Sequence, residues 1–284
     1  MIFSLNASIA GDKLNKGMQK TFESFKKTIE KEFFQHPVIV NNPYTKWFKK
    51  GLANTEQVKD LIIQFSVFSN HFIVVQAKRM VNASTIEGEE TARAILLNEC
   101  GVGMDIKNGS IEGQRFTTPN AHINWLRKMA NILDIDSKII GNWNAGTKST
   151  HKFLDGLDST YGSRDGIVGS GASFAIETWA AFGIGHGKEA ESNNFWKELV
   201  IGLEEYNKKY RTSNNLPLIP IGFFQYHFET EAGHEANVWQ ELEQTYNEKD
   251  FNEEKYLKAG KIALESIYTF WLGLDETRKK LENK

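Results

Sequence analysis

The stretch NTEQVKDLIIQFSVFSNHFIVV, residues 54–75, decides the fold class of this chain. Its apolar residues recur every three or four positions, which is the period of one face of an α-helix. Asn54 and Gln57 stand at its start in the spacing of a capping box, the pattern that begins a helix. The same period returns along the rest of the chain, and no alternation of period two is long enough for a sheet. The sequence therefore predicts an all-α protein.

The interruptions of this period predict about eight helices in a single domain that spans residues 1–284. No internal repeat, low-complexity tract or linker divides the chain. A first helix runs from Leu14 to Phe33, and a Gly-rich loop covers residues 101–117. Thr118-Pro119 is typical of a helix start, because proline is favoured at the first helical position. The later helices are predicted at about 148–157, 166–185, 194–210, 221–246 and 252–281.

The composition excludes several classes of protein before any motif is considered. The 284 residues include 34 Lys and Arg, 36 Asp and Glu, 7 His and a single Cys. One cysteine rules out a disulfide scaffold and any all-thiolate metal site. A net charge of −2 offers no general attraction for nucleic acid or for a membrane surface. We therefore expect neither nucleic acid nor a membrane as a partner. The first residues do not form a convincing signal peptide, so a cytoplasmic location is the default expectation.

Three polar residues interrupt the apolar face of the predicted helix at 221–246. His227, Glu231 and His234 are spaced i, i+4 and i+7, so their side chains project from one face of the helix. Burying a carboxylate and two imidazoles without partners would cost several kcal/mol, so something must satisfy them. The alternative is a partly solvated face on which the three polar residues have no common role.

Three further polar residues occupy core-facing positions on other predicted helices. Glu177 is the only ionisable residue between positions 167 and 185, and it is either paired with a lysine, protonated or bound to a metal. Glu99 continues the apolar stripe at the end of its helix, although an exposed terminal residue would look the same. His122 shares a face with Leu126 and Met129, where an ordinary core histidine is the alternative.

Together these positions place three glutamates and three histidines on the core faces of four helices. A mixed supply of carboxylate and imidazole ligands suits iron or manganese better than a metal that prefers thiolates. Ferritin-like di-iron sites use paired E-x-x-H motifs, and no such pair fits the core stripes of this chain. A ferritin-like protein is therefore disfavoured.

The order of these motifs resembles a known family. The chain contains Asn98-Glu99-Cys100-Gly101, then Ala121-His122, then Ala175-Ile176-Glu177, and finally YHFETEAGH at residues 226–234. This series is similar to that of the haem-oxygenase-like di-iron oxidases and oxygenases, relatives of the thiamine-salvage and PQQ-biosynthesis proteins. The resemblance spans most of the chain, and its most specific element is the H-x-x-x-[D/E]-x-x-H helix.

The resemblance implies a haem-oxygenase-like helical bundle, an iron-dependent oxidoreductase and a ligand set. Two Fe(II)/Fe(III) ions, with manganese as the alternative metal, would react with O₂ as cosubstrate through a peroxo-diferric species. The expected substrate is a small organic molecule of the fatty acid or amino acid type. Glu99, Glu177 and Glu231 would be the catalytic carboxylates. The metal ligands carried over are Glu99, His122, Glu177, His227, Glu231 and His234. The chain departs from the family in a long loop before His122 and in Glu, rather than Asp, at position 231.

Other residues are expected near the site on weaker grounds. Glu229 would orient a ligand histidine from its own helix, and His71, Phe68, Phe72 and Trp179 would form the walls of the substrate pocket. A non-catalytic iron-binding or interaction protein on the same fold is one alternative function. A metal-independent hydrolase with a cysteine nucleophile is another, although Cys100 does not lie in the Glu177 helix. The oligomeric state stays open, with a homodimer as the common assembly for this architecture.

Overall fold

The computed structural model describes residues 21–102 and 121–282 of the chain. Throughout these two ranges the protein is α-helical and contains no β-strand. Twelve α-helices have both ends inside the described ranges. A further helical segment, α1, occupies residues 21–32. The predicted all-α single-domain fold is therefore confirmed, with about twelve helices in place of about eight.

The helices follow one another closely along the chain. The first half contains α2 (Pro37–Val40), α3 (Pro43–Phe48), α4 (Thr55–Val81), α5 (Ile86–Glu99) and α6 (His122–Ile132). The second half contains α7 (Lys148–Ser159), α8 (Gly166–Ala181), α9 (Lys188–Glu191), α10 (Phe195–Tyr206), α11 (Gly222–Thr230), α12 (Ala232–Tyr246) and α13 (Glu253–Lys280). A π-helical turn at Asn207–Arg211 continues α10.

The number of helices differs from the prediction for local reasons. The helices α2 and α9 have only four residues each, so neither is long enough to display a helical period. The short aromatic helix that the sequence predicts around Tyr44, Trp47 and Phe48 is α3. The single helix expected at 221–246 is divided at Glu231 into α11 and α12. The helix expected at 166–185 ends at Ala181, because Gly183 and Gly185 adopt positive φ angles of 81° and 80°.

Side-chain caps fix where the long helices begin. Asn54 and Gln57 form the predicted capping box, in which each side chain bonds to the backbone N–H of the other. Asp165 accepts from the backbone N–H groups of Ile167 and Val168 at the start of α8. Since each cap satisfies N–H groups that the helix itself leaves unbonded, the entry points of α4 and α8 are well defined.

One continuous hydrophobic core joins these helices. The longest helix, α13, packs along α8 and α7, while α4 packs against α5, α6 and α7. The helix α12 lies against α8, and α10 lies against α11. Residues of α5, α8 and α11 line one cavity together with Phe65–Phe72 from the middle of α4, and the polar core residues of the sequence gather there.

One described helix, Thr55–Val81, is long and apolar enough to cross a membrane by length and composition alone. The core helix of a water-soluble protein passes the same test, and 56% of the apolar window of this helix is buried inside the protein. The predicted helix at 166–185, in which Glu177 is the only ionisable residue, forms the buried helix α8 over most of its length.

Some sequence predictions fall outside the described residues. These are the start of the first helix at Leu14, most of the loop at 101–117 and the helix start at Thr118-Pro119. The side chains of residues 232–237 are also outside them. The predicted ligand His234 is therefore placed only by the backbone of α12.

Candidate metal centre

Two helix ends bring the first pair of candidate ligands together. Glu99 is the last residue of α5, and His122 is the first residue of α6. Gly101 leaves α5 with a φ angle of 80°, a left-handed conformation that glycine adopts without steric cost. The His122 ring nitrogen Nδ1 lies 2.8 Å from Oε2 of Glu99. The two residues are thus in direct contact although more than twenty positions separate them in the chain.

A third residue, His227 of α11, completes a compact buried group. Ligand atoms of Glu99, His122 and His227 all lie within 4.8 Å of one another, a spacing that allows them to hold one metal ion. The rings of His122 and His227 have their centroids 4.7 Å apart. His122 is 1% exposed and His227 is 7% exposed. One carboxylate and two imidazoles therefore converge inside the protein.

The orientation of each imidazole suits a metal ligand. His227 Nδ1 lies 2.7 Å from the backbone carbonyl of Phe223, one turn earlier in α11. Because a carbonyl only accepts, Nδ1 must carry the proton, which makes Nε2 the nitrogen with a lone pair for a metal. In His122 it is Nδ1 that contacts Glu99, while Nε2 is buried and has no hydrogen-bond partner among the described residues.

Two further predicted ligands line the cavity that adjoins this group. Glu177 of α8 is 4% exposed, and Glu231, between α11 and α12, is 7% exposed. Both face the same cavity as Glu99 and His227. The structure therefore brings five of the six predicted ligands to one place, and the side chain of the sixth, His234, lies outside the described residues.

The rest of the cavity wall is mainly apolar. Its interior volume is about 60 Å³, which is room for several water-sized molecules. Three of the predicted wall residues, Phe68, Phe72 and Trp179, line it. The other apolar and aromatic residues of the wall are Phe65, Ile95, Phe153, Leu157, Ile176, Ala180, Trp196, Phe223 and Ile267.

Two residues expected near the site lie elsewhere, which corrects the sequence interpretation. His71 is not part of the cavity wall, and its ring packs against Trp143 with the centroids 4.9 Å apart. It directly precedes Phe72 in α4, and one residue turns a helix by about 100°, so the two face different ways. Glu229 is exposed, does not line the cavity and accepts a hydrogen bond from Gln225.

Sequence reasoning missed a hydrogen bond that ties two ligand helices together. The Asn98 side-chain amide donates to the Tyr226 hydroxyl oxygen over 2.5 Å. These residues directly precede Glu99 and His227, and the Tyr226 ring also contacts the ring of His122 at a centroid distance of 5.6 Å. The only signal in the sequence is this adjacency. The contact fixes the end of α5 against α11 beside the convergent ligands.

Sequence reasoning also missed a buried ion pair behind the site. Arg79 of α4 is 3% exposed in its side chain and is bonded to Glu241 of α12, which is 7% exposed. Arg79 follows Val75 by four residues and so continues the apolar stripe of α4. This spacing in the sequence indicates that the arginine is buried. Gly88 makes room for the pair, since a Cβ there would lie 3.2 Å from Oε1 of Glu241.

Burial and nearby carboxylates keep two neighbouring groups neutral. Burial, with the charge of Glu99 as a second cause, raises the pKa of the Cys100 thiol. A cysteine nucleophile needs the opposite shift, because the thiolate is the reactive form. Burial and then Glu177 raise the pKa of Tyr161, whose hydroxyl donates to Gln76 over 2.6 Å. The surroundings of Cys100 thus disfavour a cysteine-dependent hydrolase.

No protein-family model and no curated protein sequence matches the chain.

Proposed function

We propose that this protein is a haem-oxygenase-like di-iron oxidase or oxygenase that uses O₂ on a small organic substrate. The observation that carries the proposal is the buried convergence of Glu99, His122 and His227 within 4.8 Å, on the same cavity as Glu177 and Glu231. The order of these residues in the chain is the order in which the family carries its ligands.

The donor set fits iron. Carboxylate and neutral imidazole together suit iron and manganese, whereas zinc sites in closed structural positions favour thiolates and imidazoles. The buried Nε2 of His122 has no hydrogen-bond partner among the described residues, which is costly for a polar atom and is relieved when the atom ligates a metal. Glu177 and Glu231 add two carboxylates that suit a second metal ion beside the first.

Each residue of the site has a separate task. Two bound ferrous ions would supply the electrons for the activation of O₂. The carboxylates of Glu99, Glu177 and Glu231 offset the positive charge of those ions. His227 is held in its ligating tautomer by the Phe223 carbonyl. The aromatic wall excludes water from the reacting side of the cavity.

The cavity wall indicates the class of substrate. Among the described residues that line it there is no lysine or arginine, so the chain supplies no cationic partner for a substrate carboxylate there. Aromatic and aliphatic side chains make up most of the wall, which suits an acyl chain or the side chain of an aromatic amino acid. A substrate with one apolar part beside one polar group fits this arrangement.

An anaerobic titration with Fe(II), followed by exposure to O₂, tests the proposal. We expect two ferrous ions per chain and an O₂-dependent visible absorption band that changes when fatty acids or amino acids are added. Uptake of no more than one ion, or the absence of any O₂-dependent band with every candidate substrate, would show that the protein is not a di-iron oxidase.

Matched variants test the ligand assignment. We expect His227→Ala and Glu231→Ala to abolish the binding of the second equivalent of iron or of both. His71→Ala is the control for the histidine, and Glu229→Ala is the control for the glutamate, since neither residue touches the cavity. Equal iron uptake by a ligand variant and its control would refute the assignment.

A second candidate function is iron binding without turnover. The group of Glu99, His122 and His227 alone is sufficient to hold a single divalent ion, which favours this reading of the site. A binding protein of this kind would take up one metal ion and show no consumption of O₂. The titration above therefore separates the two functions by stoichiometry and by O₂ uptake.

A further inference from the structure

A row of aromatic side chains leads from the candidate metal centre towards the protein surface. Its inner end is Trp196, whose indole is stacked on the imidazole of His227 with the ring centroids 4.4 Å apart and the planes inclined by 20°. Trp196 is 4% exposed. An indole in face-to-face contact with a candidate ligand has direct electronic access to whatever metal that ligand holds.

The row continues through four more rings, which together with Trp196 we call the aromatic ladder. Phe195 lies 4.2 Å from Trp196 and 5.7 Å from Trp271, as measured between ring centroids. Tyr44 lies 5.7 Å from Trp271 and 5.5 Å from Trp47. Each ring therefore contacts the next without a gap.

A parallel contact strengthens the middle of the aromatic ladder. Phe65 lies 5.7 Å from Trp196 and 6.2 Å from Trp271, so two phenyl rings bridge the two indoles. At the outer end, Trp47 is partly exposed, and the guanidinium of Arg278 lies 4.3 Å from its ring centroid. The ladder thus begins at a candidate metal ligand and ends where a molecule in solution can reach it.

The surroundings of the ladder suit the movement of single electrons. Tryptophan and tyrosine are the side chains most easily oxidised by one electron, and three of the five rungs are indoles or a phenol in the buried core. The indole N–H groups of Trp196 and Trp271 are buried and have no hydrogen-bond partner among the described residues. With no base to take the indole proton, an oxidised Trp196 or Trp271 keeps it and is restored by an electron alone.

We propose that the aromatic ladder delivers electrons from a reductant in solution to the metal centre when that centre is oxidised and holds no substrate. This inference rests on the proposed function. The ladder would protect His227 and its neighbours from oxidation, because the oxidising equivalent leaves the buried site before it attacks them. The chemical class of the partner is a one-electron donor such as ascorbate.

Electrons and protons balance in each transfer between neighbouring rings of the aromatic ladder. Trp196 would give one electron to the oxidised centre and become an indole radical cation, which an electron from Trp271 restores. Tyr44 then gives its electron to Trp271 and releases its phenolic proton. The acceptor in this scheme is the Asp60 carboxylate, whose charge acts on the Tyr44 hydroxyl. Trp47 reduces Tyr44, the proton returns, and ascorbate reduces Trp47. The net change is one electron lost by ascorbate and one gained by the centre.

The experiment locates oxidised side chains and does not depend on turnover of a substrate. The iron-loaded protein is given a pulse of O₂ without substrate, with and without ascorbate, and its peptides are then mapped by mass spectrometry. In the wild type we expect oxidised Trp47 and Tyr44, suppressed by ascorbate. In Trp271→Phe we expect loss of oxidation at Trp47 and its appearance at Trp196.

Two other variants test whether a changed oxidation pattern comes from misfolding or from an oxidant that diffuses through solution. Tyr44→Phe keeps the ring and removes only the hydroxyl group, and it should also deplete oxidation at Trp47. Trp143→Phe is the control, because Trp143 is 39% exposed and lies outside the ladder. This variant should leave the pattern at Trp47 and Tyr44 unchanged.

The outcomes separate this inference from the function on which it rests. If no O₂-dependent absorption band forms, the proposed function fails, and the ladder has no oxidant to discharge. If the band forms but oxidation at Trp47 is the same in Trp271→Phe as in the wild type, the ladder is wrong and the proposed function stands. Oxidation of Trp143 to the same extent as Trp47 would likewise overturn the ladder, because it would indicate an oxidant free in solution.

Discussion

Two regions of this molecule bury charged groups, and they neutralise them in different ways. In the ion-pair region, Arg79 of α4 and Glu241 of α12 bind each other, so the chain supplies both charges. In the ligand region, Glu99, Glu177 and Glu231 face a cavity whose described wall residues include one histidine, His227, but no lysine or arginine. The first region holds two helices together, whereas under the proposed function the second would hold metal ions.

The largest expected effect comes from breaking the ion-pair region. Arg79→Met leaves the Glu241 carboxylate buried without its partner, and we expect a loss of about 3–5 kcal/mol in the free energy of unfolding, measured with urea. Lys255→Ala removes the exposed pair with Asp165 and should cost no more than about 1 kcal/mol. The double variant Arg79→Met/Glu241→Leu should regain most of the loss. Equal costs for Arg79→Met and Lys255→Ala would contradict the contrast between the regions.

In the ligand region, the binding of metal should change the stability of the folded protein. At a free Fe(II) concentration one hundred times the dissociation constant, binding stabilises the folded protein by about 2.7 kcal/mol, which calorimetry would detect as a higher melting temperature. Glu231→Gln should lose most of this gain. Glu229→Gln, two residues away and exposed, should keep it. A gain that is the same in both variants would mean that Glu231 does not hold the metal.

Asp60, a carboxyl group outside both regions, allows the effect of burial on the free energy of unfolding to be measured. Burial raises the pKa of Asp60 from its ordinary value of 3.8 to about 6. Between these pH values the folded protein keeps a proton that the unfolded chain has lost, so stability falls as the pH rises through this window. Asp60→Asn should flatten this slope and raise the free energy of unfolding by about 1–2 kcal/mol at pH 7. Unfolding in urea at pH 4 and at pH 7 would measure the difference, and an unchanged slope would be the contrary result.

The smallest expected effect concerns the hydrogen bond beside the ligands. Tyr226→Phe removes the hydroxyl that accepts from Asn98, and we expect Fe(II) affinity to fall by about tenfold, or about 1.4 kcal/mol. The fold should be almost unaffected, because the ring still packs on His122. Tyr268→Phe is the control, since this ring packs on His36. Similar affinities in the two variants would show that the Asn98–Tyr226 bond has no positioning role.

The sequence predicted the candidate ligands because a polar residue on an apolar face is visible in the period of a helix. Glu177 and His227 lie in the core where that period places them. It was harder to predict which of two positions, one or two residues apart on the same helix, faces the cavity. His71 was assigned to the cavity wall from the density of aromatic residues around it, and Glu229 as a residue that orients a ligand histidine. His71 instead packs against Trp143, and Glu229 is exposed.

Pairings across the fold were beyond the reach of the sequence. Arg79 and Glu241 are far apart in the chain, and a stripe of apolar residues shows that a position is buried without showing what it meets. The contact of Asn98 with Tyr226 depends in the same way on how α5 and α11 are packed. The four-residue helices α2 and α9 escape detection because they complete only about one turn.

The size of the cavity sets a condition on how fast a substrate can bind. About 60 Å³ is well below the roughly 300–1,000 Å³ of sites that enclose a drug-sized ligand. A long acyl chain therefore has to displace wall side chains such as Phe68 or Phe72 before it is seated, and its binding rate reaches a plateau set by that rearrangement. A compact amino acid displaces less of the wall, so its binding rate rises further with concentration. Under the proposed function, the packing of these rings would therefore select by binding rate among the molecules that reach Glu99 and His227.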